Sequence, residues 1–327
     1  MKTRVVAIAK DEAAYLADWV FHHRYFGFDE VHVCLNRTTD QSAKVLDNIA
    51  LQDPAVTYEY LDWVDYLPGD LNKSLQHIAY AKAFADARKD GVDWLIFLDV
   101  DEFWVPSDFK MSVKEHLYNL FENRTIGAVC YLWHNEYGTP ESFSAIREKV
   151  SFSINREVKT LFPVSIDLRQ VRIHCHAFKS GALIYDAEGN SMLFEENKMV
   201  ARKEARIEKK FFILHRVYRS ELEYLATLVR DNPEKDPYGL KRTRNGYFRE
   251  SGSATICFPK IEHDEYIRAR DQFIIDAELM VLLSEERESI VKRADFAKRI
   301  LRDMLVEKDD ADARKLARRL LRGVTIL

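Results

Sequence analysis

An α/β fold, with a mostly parallel sheet, flanking helices and a helical C-terminal region, is what this sequence predicts. Apolar runs of strand length recur at 3–9, 30–35, about 55–61 and 94–98, segments of helical spacing separate them, and from Ser220 onward the pattern is mainly helical. Strands that alternate with helices in this way form a parallel, doubly wound sheet.

Taken in order, residues 3–9 read as a buried strand, and Asp11 to Phe26 as a helix carrying Ala14, Leu16, Trp19, Val20, His23 and Phe26, stopped at Gly27. Residues 30–35 make a second strand ending at Asn36, and Asp40 is placed to cap the helix that carries Val45, Leu46 and Ile49. A third strand near 55–61 and a helix from about Leu71 to Lys89 lead into the strand at 94–98. After Pro106 the pattern is more irregular, with a helix at 112–122, a buried strand at 126–132 and short strand candidates at 171–177 and 182–185. A gap at 232–260, rich in Pro, Gly and Arg, is long enough to be a functional loop.

The most informative stretch is Trp94 to Phe103, where an apolar strand ends abruptly in Asp99, Asp101 and Glu102. In open α/β sheets, ligands bind beyond the carboxyl ends of the strands, so these carboxylates stand where ligands stand. Extended backbone would point Asp99 and Asp101 the same way, a pair suited to a hard divalent cation bridging to a substrate phosphate.

The chain of 327 residues buries an ample core, and its net charge of −4 gives no global reason to expect nucleic-acid binding. Four cysteines, Cys34, Cys130, Cys175 and Cys257, stand far apart without CxxC spacing, which suggests neither a zinc site nor a disulfide framework and fits a cytosolic compartment. The apolar run after Met1 is too short for a signal-peptide core, and no window approaches the roughly 20 residues that cross a bilayer.

Several separated segments together resemble a family-92-type glycosyltransferase, a branch of the GT-A superfamily related to the family-2 enzymes. They are Lys10-Asp11-Glu12-Ala13 with Leu16, Trp19, His23 and Gly27-Phe28; Asn36 to Asp40; Gln76 with Ala79-Tyr80; and Trp94 to Phe103. The match is good over 4–104 and patchy over about 130–225, and Asp11 stands where the family usually has Asn. The resemblance implies a GT-A, Rossmann-like fold, a nucleotide-sugar donor with UDP-galactose foremost, a glycan or glycolipid acceptor in cell-surface polysaccharide synthesis, and Mn²⁺ or Mg²⁺ held by the DxD. Sugar transfer builds negative charge on a departing diphosphate, which a divalent ion stabilises.

On that reading Asp101 ligates the metal, Asp99 holds it through water or grips donor hydroxyls, and Glu102 is either an orienting neighbour or a plain surface carboxylate. Lys10 and Glu12 lie where base and ribose are gripped, with Asn36 and Asp40 beside them. Gln76 and Tyr80 lie one turn apart, Tyr80 either stacking on the base or packing in the core. Lys159, Arg216 and Arg219 suit diphosphate oxygens, and His215 completes the metal shell or meets the diphosphate. His174 and His176 alternate along an expected strand and would share a face. An inverting reaction needs a base for the acceptor hydroxyl: Glu136 is best placed by chain order, with Asp167, Glu195 and Glu196 as alternatives.

The basic segment Lys241 to Arg249 reads as a loop near phosphate or acceptor rather than a nucleic-acid site. The stripe of Ala313, Leu316, Ala317, Leu320, Leu321 and Val324 beside five basic residues suits either peripheral contact with the inner membrane face or packing on the domain. The expected organisation is a catalytic domain over 1–230, with a donor half (1–104) and an acceptor half (105–230), then a basic loop and helical extension over 231–327. Two rivals remain. A haloacid-dehalogenase-type phosphatase also uses DxD, but here Phe103 replaces its usual Thr or Val and the motif follows the fourth strand rather than the first. A nucleotide-sugar-binding protein without transfer differs by releasing no nucleoside diphosphate.

Overall fold

A computed structural model describes residues 1–72, 74–195, 200–202, 210–229, 239–248, 254–307 and 310–325. The first third is the expected alternation: β1 (Thr3–Ala9), α1 (Ala13–Tyr25), β2 (Glu30–Leu35), α2 (Ser42–Gln52), β3 (Val56–Tyr60), a 3₁₀ turn (Asp62–Tyr66), α3 (Gly69–Asn72), α4 (Leu75–Lys89) and β4 (Trp94–Phe97). These strands pair in parallel in the order β3-β2-β1-β4. Because β2 and β4 flank β1 on opposite sides, the chain changes direction between β1 and β4, and a crevice opens there at the strands' carboxyl ends. The loops after β1 and β4 border it, and both are charged.

Beyond β4 the sheet continues in mixed orientation. After β5 (Glu102–Pro106) and α5 (Val113–Phe121) come β6 (Ala128–Glu136), β7 (Lys149–Pro163), the small pair β8 (Leu168–Gln170) and β9 (Ala177–Phe178), β10 (Ile184–Asp186) and β11 (Phe211–His215). β7 runs antiparallel to both β4 and β6, and β11 lies parallel to β6 and antiparallel to β5 at the edge. The seemingly irregular half therefore extends the same sheet. β7 escapes the sequence pattern because Asn155, Arg156 and Glu157 interrupt its apolar alternation. The expected strand at 171–177 is mostly irregular, with only its last residue in β9.

The C-terminal part comprises α6 (Glu221–Leu228), β12 (Ala254–Cys257, paired with the start of β7), α7 (Lys260–Asp276), α8 (Met280–Val306) and α9 (Ala311–Leu320). Tyr266, Ile274 and Leu283 join the same buried cluster as β1 and α1, so the extension packs onto the donor half. Ala313, Ala317, Leu320 and Leu321 are buried with residues of α6 and α8, and Leu316 and Val324 pack against them. The stripe considered for membrane contact is thus consumed by internal packing, leaving Lys315, Arg318 and Arg319 to solvent. Among the described residues, no helix is long and apolar enough to cross a membrane.

Histidines are built into the core. His22 bonds the Trp104 carbonyl (2.8 Å) and His23 the Trp19 carbonyl (2.8 Å), while His134 is sandwiched between Phe152 and Phe212 with ring centroids 4.2 and 4.1 Å away. Burial pushes His23, His116, His134 and His176 down to about 3. Their unfolded values lie near 6.5, so between pH 6.5 and 3 the unfolded chain binds more protons than the native one. Stability is therefore full above about pH 6.5 and falls as the pH drops, by up to about 1.4 kcal/mol per pH unit for each such histidine. Urea midpoints at pH 7.5 and 5.0 test this; equal midpoints would mean that these rings are already charged or solvated.

Candidate active site

The Asp99-Val100-Asp101 segment is a tight turn between β4 and β5, closed by the Glu102 N–H donating to the Asp99 carbonyl (2.9 Å). The extended geometry expected of Asp99 and Asp101 is thereby replaced, and the two side chains take different partners. Asp99 accepts from Lys159 Nζ (3.2 Å) and Gln76 Nε2 (3.4 Å). Asp101 Oδ2 lies 3.5 Å from His215 Nε2. Glu102 turns inward, fully buried, and accepts from the Asp99 N–H (2.9 Å) and from Lys159 Nζ (2.9 Å). It is a brace beneath the turn, not a surface carboxylate.

The electrostatics follow from burial and neighbours. Burial raises the Asp101 carboxyl, but His215, then Arg219 and Arg244, outweigh it and hold the group well below the usual carboxylate range. Burial pushes Glu102 up to about 7 despite Lys159. Burial lowers Lys159, yet Asp99 and Glu102 overcome this and keep its ammonium charged.

His215 sits at the end of β11. Its Nδ1 meets Asn135 Oδ1 (3.1 Å), which holds Nδ1 as a donor and turns Nε2 toward Asp101. A histidine oriented by a hydrogen bond at its other nitrogen is the usual arrangement of a metal ligand. Asp101 and His215 could thus hold a divalent cation between an oxygen and a nitrogen, a donor pair that suits Mn²⁺ better than the harder Mg²⁺. Trp133 packs against His215 (centroids 4.4 Å), against His174 (5.1 Å) and beneath Lys159 Nζ (5.8 Å to its ring), gathering β6, β7 and β11 around one indole.

Arg219 follows β11 with φ +51°, lies 3.4 Å over the Tyr15 ring and 3.7 Å from Glu12, and acts electrostatically on Asp101. Arg244 is legible in the sequence only as part of a basic run. It is brought near Asp101 because Tyr247 is buried beside Gly138, where an added Cβ would collide with the tyrosine ring. Arg249 lies outside the described residues.

The other expected residues divide. Lys10 is half-buried at the exit of β1. Asp11, at φ +51°, accepts from the Thr39 N–H (2.6 Å), while Asp40 accepts from Ala13 N (2.8 Å) and Ser42 N (2.9 Å), so these two carboxylates tie the first two βα loops to one another. Asn36 is buried and donates to the Leu61 carbonyl (3.3 Å). Tyr80 stacks on Phe97 at 4.1 Å with no exposure, so it packs in the core and offers no platform to a base. Gln76, by contrast, reaches from Tyr80 Oη (3.0 Å) to Asp99.

Glu136 and Arg216 depart furthest from expectation. Past a bulge between Leu132 and His134, alternation along β6 puts Trp133 and Asn135 toward His215 and puts His134 and Glu136 on the opposite face. There Glu136, fully buried, pairs with Arg216 Nε (2.7 Å), and Arg216 also donates to the Ser144 carbonyl (2.8 Å). Neither is free to meet acceptor or diphosphate. His174 and His176 do not share a face: His174 contacts Trp133 and Glu157, whereas His176 is buried against Phe162. Asp167 is exposed beside Lys179, Glu195 pairs with Arg156, and Glu196 lies outside the described residues. A carboxylate missed in the sequence stands beside a histidine that packs on Trp133. Glu157 lies on β7 two positions before Lys159, and its Oε2 accepts from His174 Nε2 (2.9 Å).

No curated protein matches this chain. The sequence profile of glycosyltransferase family 92 matches residues 6–176, more than half of the chain, a span that holds the second half of β1, β2 to β4, the Asp99–Asp101 turn, Trp133, Glu157 and Lys159. With this span and a sheet that carries its acidic turn at the switch of strand order, the chain belongs to glycosyltransferase family 92 and is a sugar transferase.

Proposed function

We propose that this enzyme transfers a sugar, with inversion, from a UDP-linked donor, UDP-galactose first, to a glycan or glycolipid acceptor of cell-surface polysaccharide. The observation that supports this best is the division of labour at the acidic turn. Asp101 faces His215, with Arg219 and Arg244 near, on the side where a diphosphate departs; Asp99 is steadied by Gln76 and Lys159. Asp101 and His215 would hold a divalent ion, which when bound would stabilise the leaving diphosphate electrostatically. Arg219 adds a fixed cation to the same end, and its seat on Tyr15 keeps it aimed there.

The acceptor proton goes to Glu157 in this reading. His174 fixes one carboxylate oxygen of Glu157 and leaves the other for the acceptor hydroxyl, and both side chains are about one third exposed, so a sugar can reach them.

A thermal-shift screen of nucleotide sugars with and without Mn²⁺ tests the donor reading, since a ligand bound only by the native state raises its melting temperature. A UDP-sugar should shift it, more so with Mn²⁺; no shift with any nucleotide sugar would overturn the assignment. Glu157→Gln should slow transfer by a factor on the order of 10² or more at unchanged melting temperature. Glu136→Gln should do the reverse, lowering the melting temperature by weakening a buried ion pair while turnover per folded molecule persists. Full turnover in Glu157→Gln would return the base to another carboxylate.

A further inference from the structure

A second group of metal-type donors lies on β2 and β3, away from the acidic turn. Alternation along β2 puts His32 and Cys34 on one face, and the parallel register sets Cys34 beside Glu59 and His32 beside Thr57 on β3. One donor atom from each of His32, Cys34 and Glu59 lies within 4.8 Å of the other two. Glu59 Oε1 is 3.4 Å from His32 Nε2 and 4.0 Å from Cys34 Sγ. A tetrahedral ion with bonds of about 2.0–2.1 Å to N and O and about 2.3 Å to S separates N from O by about 3.4 Å and S from O by about 3.6 Å. The sheet therefore holds Glu59 within a few tenths of an ångström of that spacing from both His32 and Cys34, and keeps the third pair within 4.8 Å, before any ion arrives.

Two further contacts suit a ligand set. His32 Nδ1 meets Thr57 Oγ1 at 2.9 Å, which occupies that nitrogen and leaves Nε2 turned toward Glu59. Lys82 of α4 neutralises Glu59 at 2.7 Å but also bonds Asp86, one turn along its own helix, at 2.8 Å. Its ammonium can therefore yield Glu59 to an ion and keep a partner. Cys34 is fully buried, while the His32 and Glu59 side chains are 19% and 25% exposed, which gives an ion an entry path.

We propose that His32, Cys34 and Glu59 form a three-ligand site for a borderline-soft divalent ion, Zn²⁺ foremost, with water in the fourth position. The Cys34 thiolate, which the Asp101 site lacks, selects such an ion over the hard Mg²⁺ or Mn²⁺ proposed there, so the two sites are chemically distinct. Binding exchanges the Cys34 S–H bond for a sulfur–metal bond and releases that proton to solvent. Burial and Glu59 push the free thiol up to about 12, so the metal must supply the driving force for deprotonation and affinity rises with pH. The bound ion would clip β2 to β3 at the nucleotide side of the sheet.

The test uses the full chain, stripped of metal, with Cys257→Ser to remove the exposed thiol, and titrates it with Co²⁺ as a spectroscopic probe. Expected are a thiolate-to-metal charge-transfer band saturating at one Co²⁺ per chain, its loss on adding Zn²⁺, and a rise in melting temperature with Zn²⁺. The band should vanish in Cys34→Ser and weaken by more than about tenfold in affinity in His32→Gln, a milder change should Cys34→Ser fail to fold. Lys82→Met should bind more tightly, because a competing cation is gone, and Asp101→Asn should leave the band intact. Absence of the band, or a band indifferent to both His32→Gln and Cys34→Ser, would overturn the site.

Discussion

Replacing Asp101 with Asn is expected to cut sugar transfer by a factor on the order of 10³, with only a modest fall in melting temperature. The Asp101 carboxylate bears directly on His215 and on the charges of Arg219 and Arg244, so its loss removes the negative group around which the cationic end of the crevice is arranged. The fold does not depend on it in the same way. The turn is closed by backbone bonds, Glu102 N–H to the Asp99 carbonyl (2.9 Å) and Arg216 N–H to the Asp101 carbonyl (2.8 Å), and Asn keeps the side chain's shape. Turnover with the UDP-sugar found by thermal shift, beside a melting curve, checks both halves. Wild-type turnover in the variant would remove Asp101 from the chemistry.

Lys159→Met should carry the largest cost in stability, about 3–5 kcal/mol. The ammonium is fully buried and lies 2.9 Å from Glu102 and 3.2 Å from Asp99, and Glu102 has no exposure to water. Removing the cation strands a buried carboxylate, which is far more costly than the net worth of the pair. The double variant Lys159→Met with Glu102→Gln should therefore recover much of the loss, since the uncompensated charge is gone. Chemical denaturation of the wild type, both single variants and the double variant gives this coupling; additive losses would show that the ion pair is not what the site rests on.

The donor half is legible in the sequence because its signals are local. β1 to β4 alternate with their helices within a hundred residues, each apolar run matches one strand, and the carboxylates mark the strand end where burial stops. The acceptor half is not legible in the same way. β7 is 15 residues long but carries polar Asn155, Arg156 and Glu157 in its middle, and those residues read as loop until β4, β6 and β12 are seen beside them. Glu136 reads as the base because it follows Trp133 at a suggestive distance in sequence, yet parity along β6 sends it to the far face. Arg216 and Arg219, three positions apart, look equivalent in the chain, yet one is locked to Glu136 and the other stacks on Tyr15 beside Glu12.

Sequence by itself determined the α/β class, the four parallel strands and the family, and marked the acidic end of β4 as the candidate site, because periodicity and strand-end charge are properties of neighbouring residues. Only the tertiary structure decided which carboxylate meets which partner: that Asp101 faces His215, that Glu102 lies buried on Lys159, that Glu157 meets His174, and that His32 and Cys34 find Glu59. Each of those pairings joins residues from different elements, and strand register and side-chain parity, which a single bulge can shift, are set by pairing between distant segments rather than by the residues on either side.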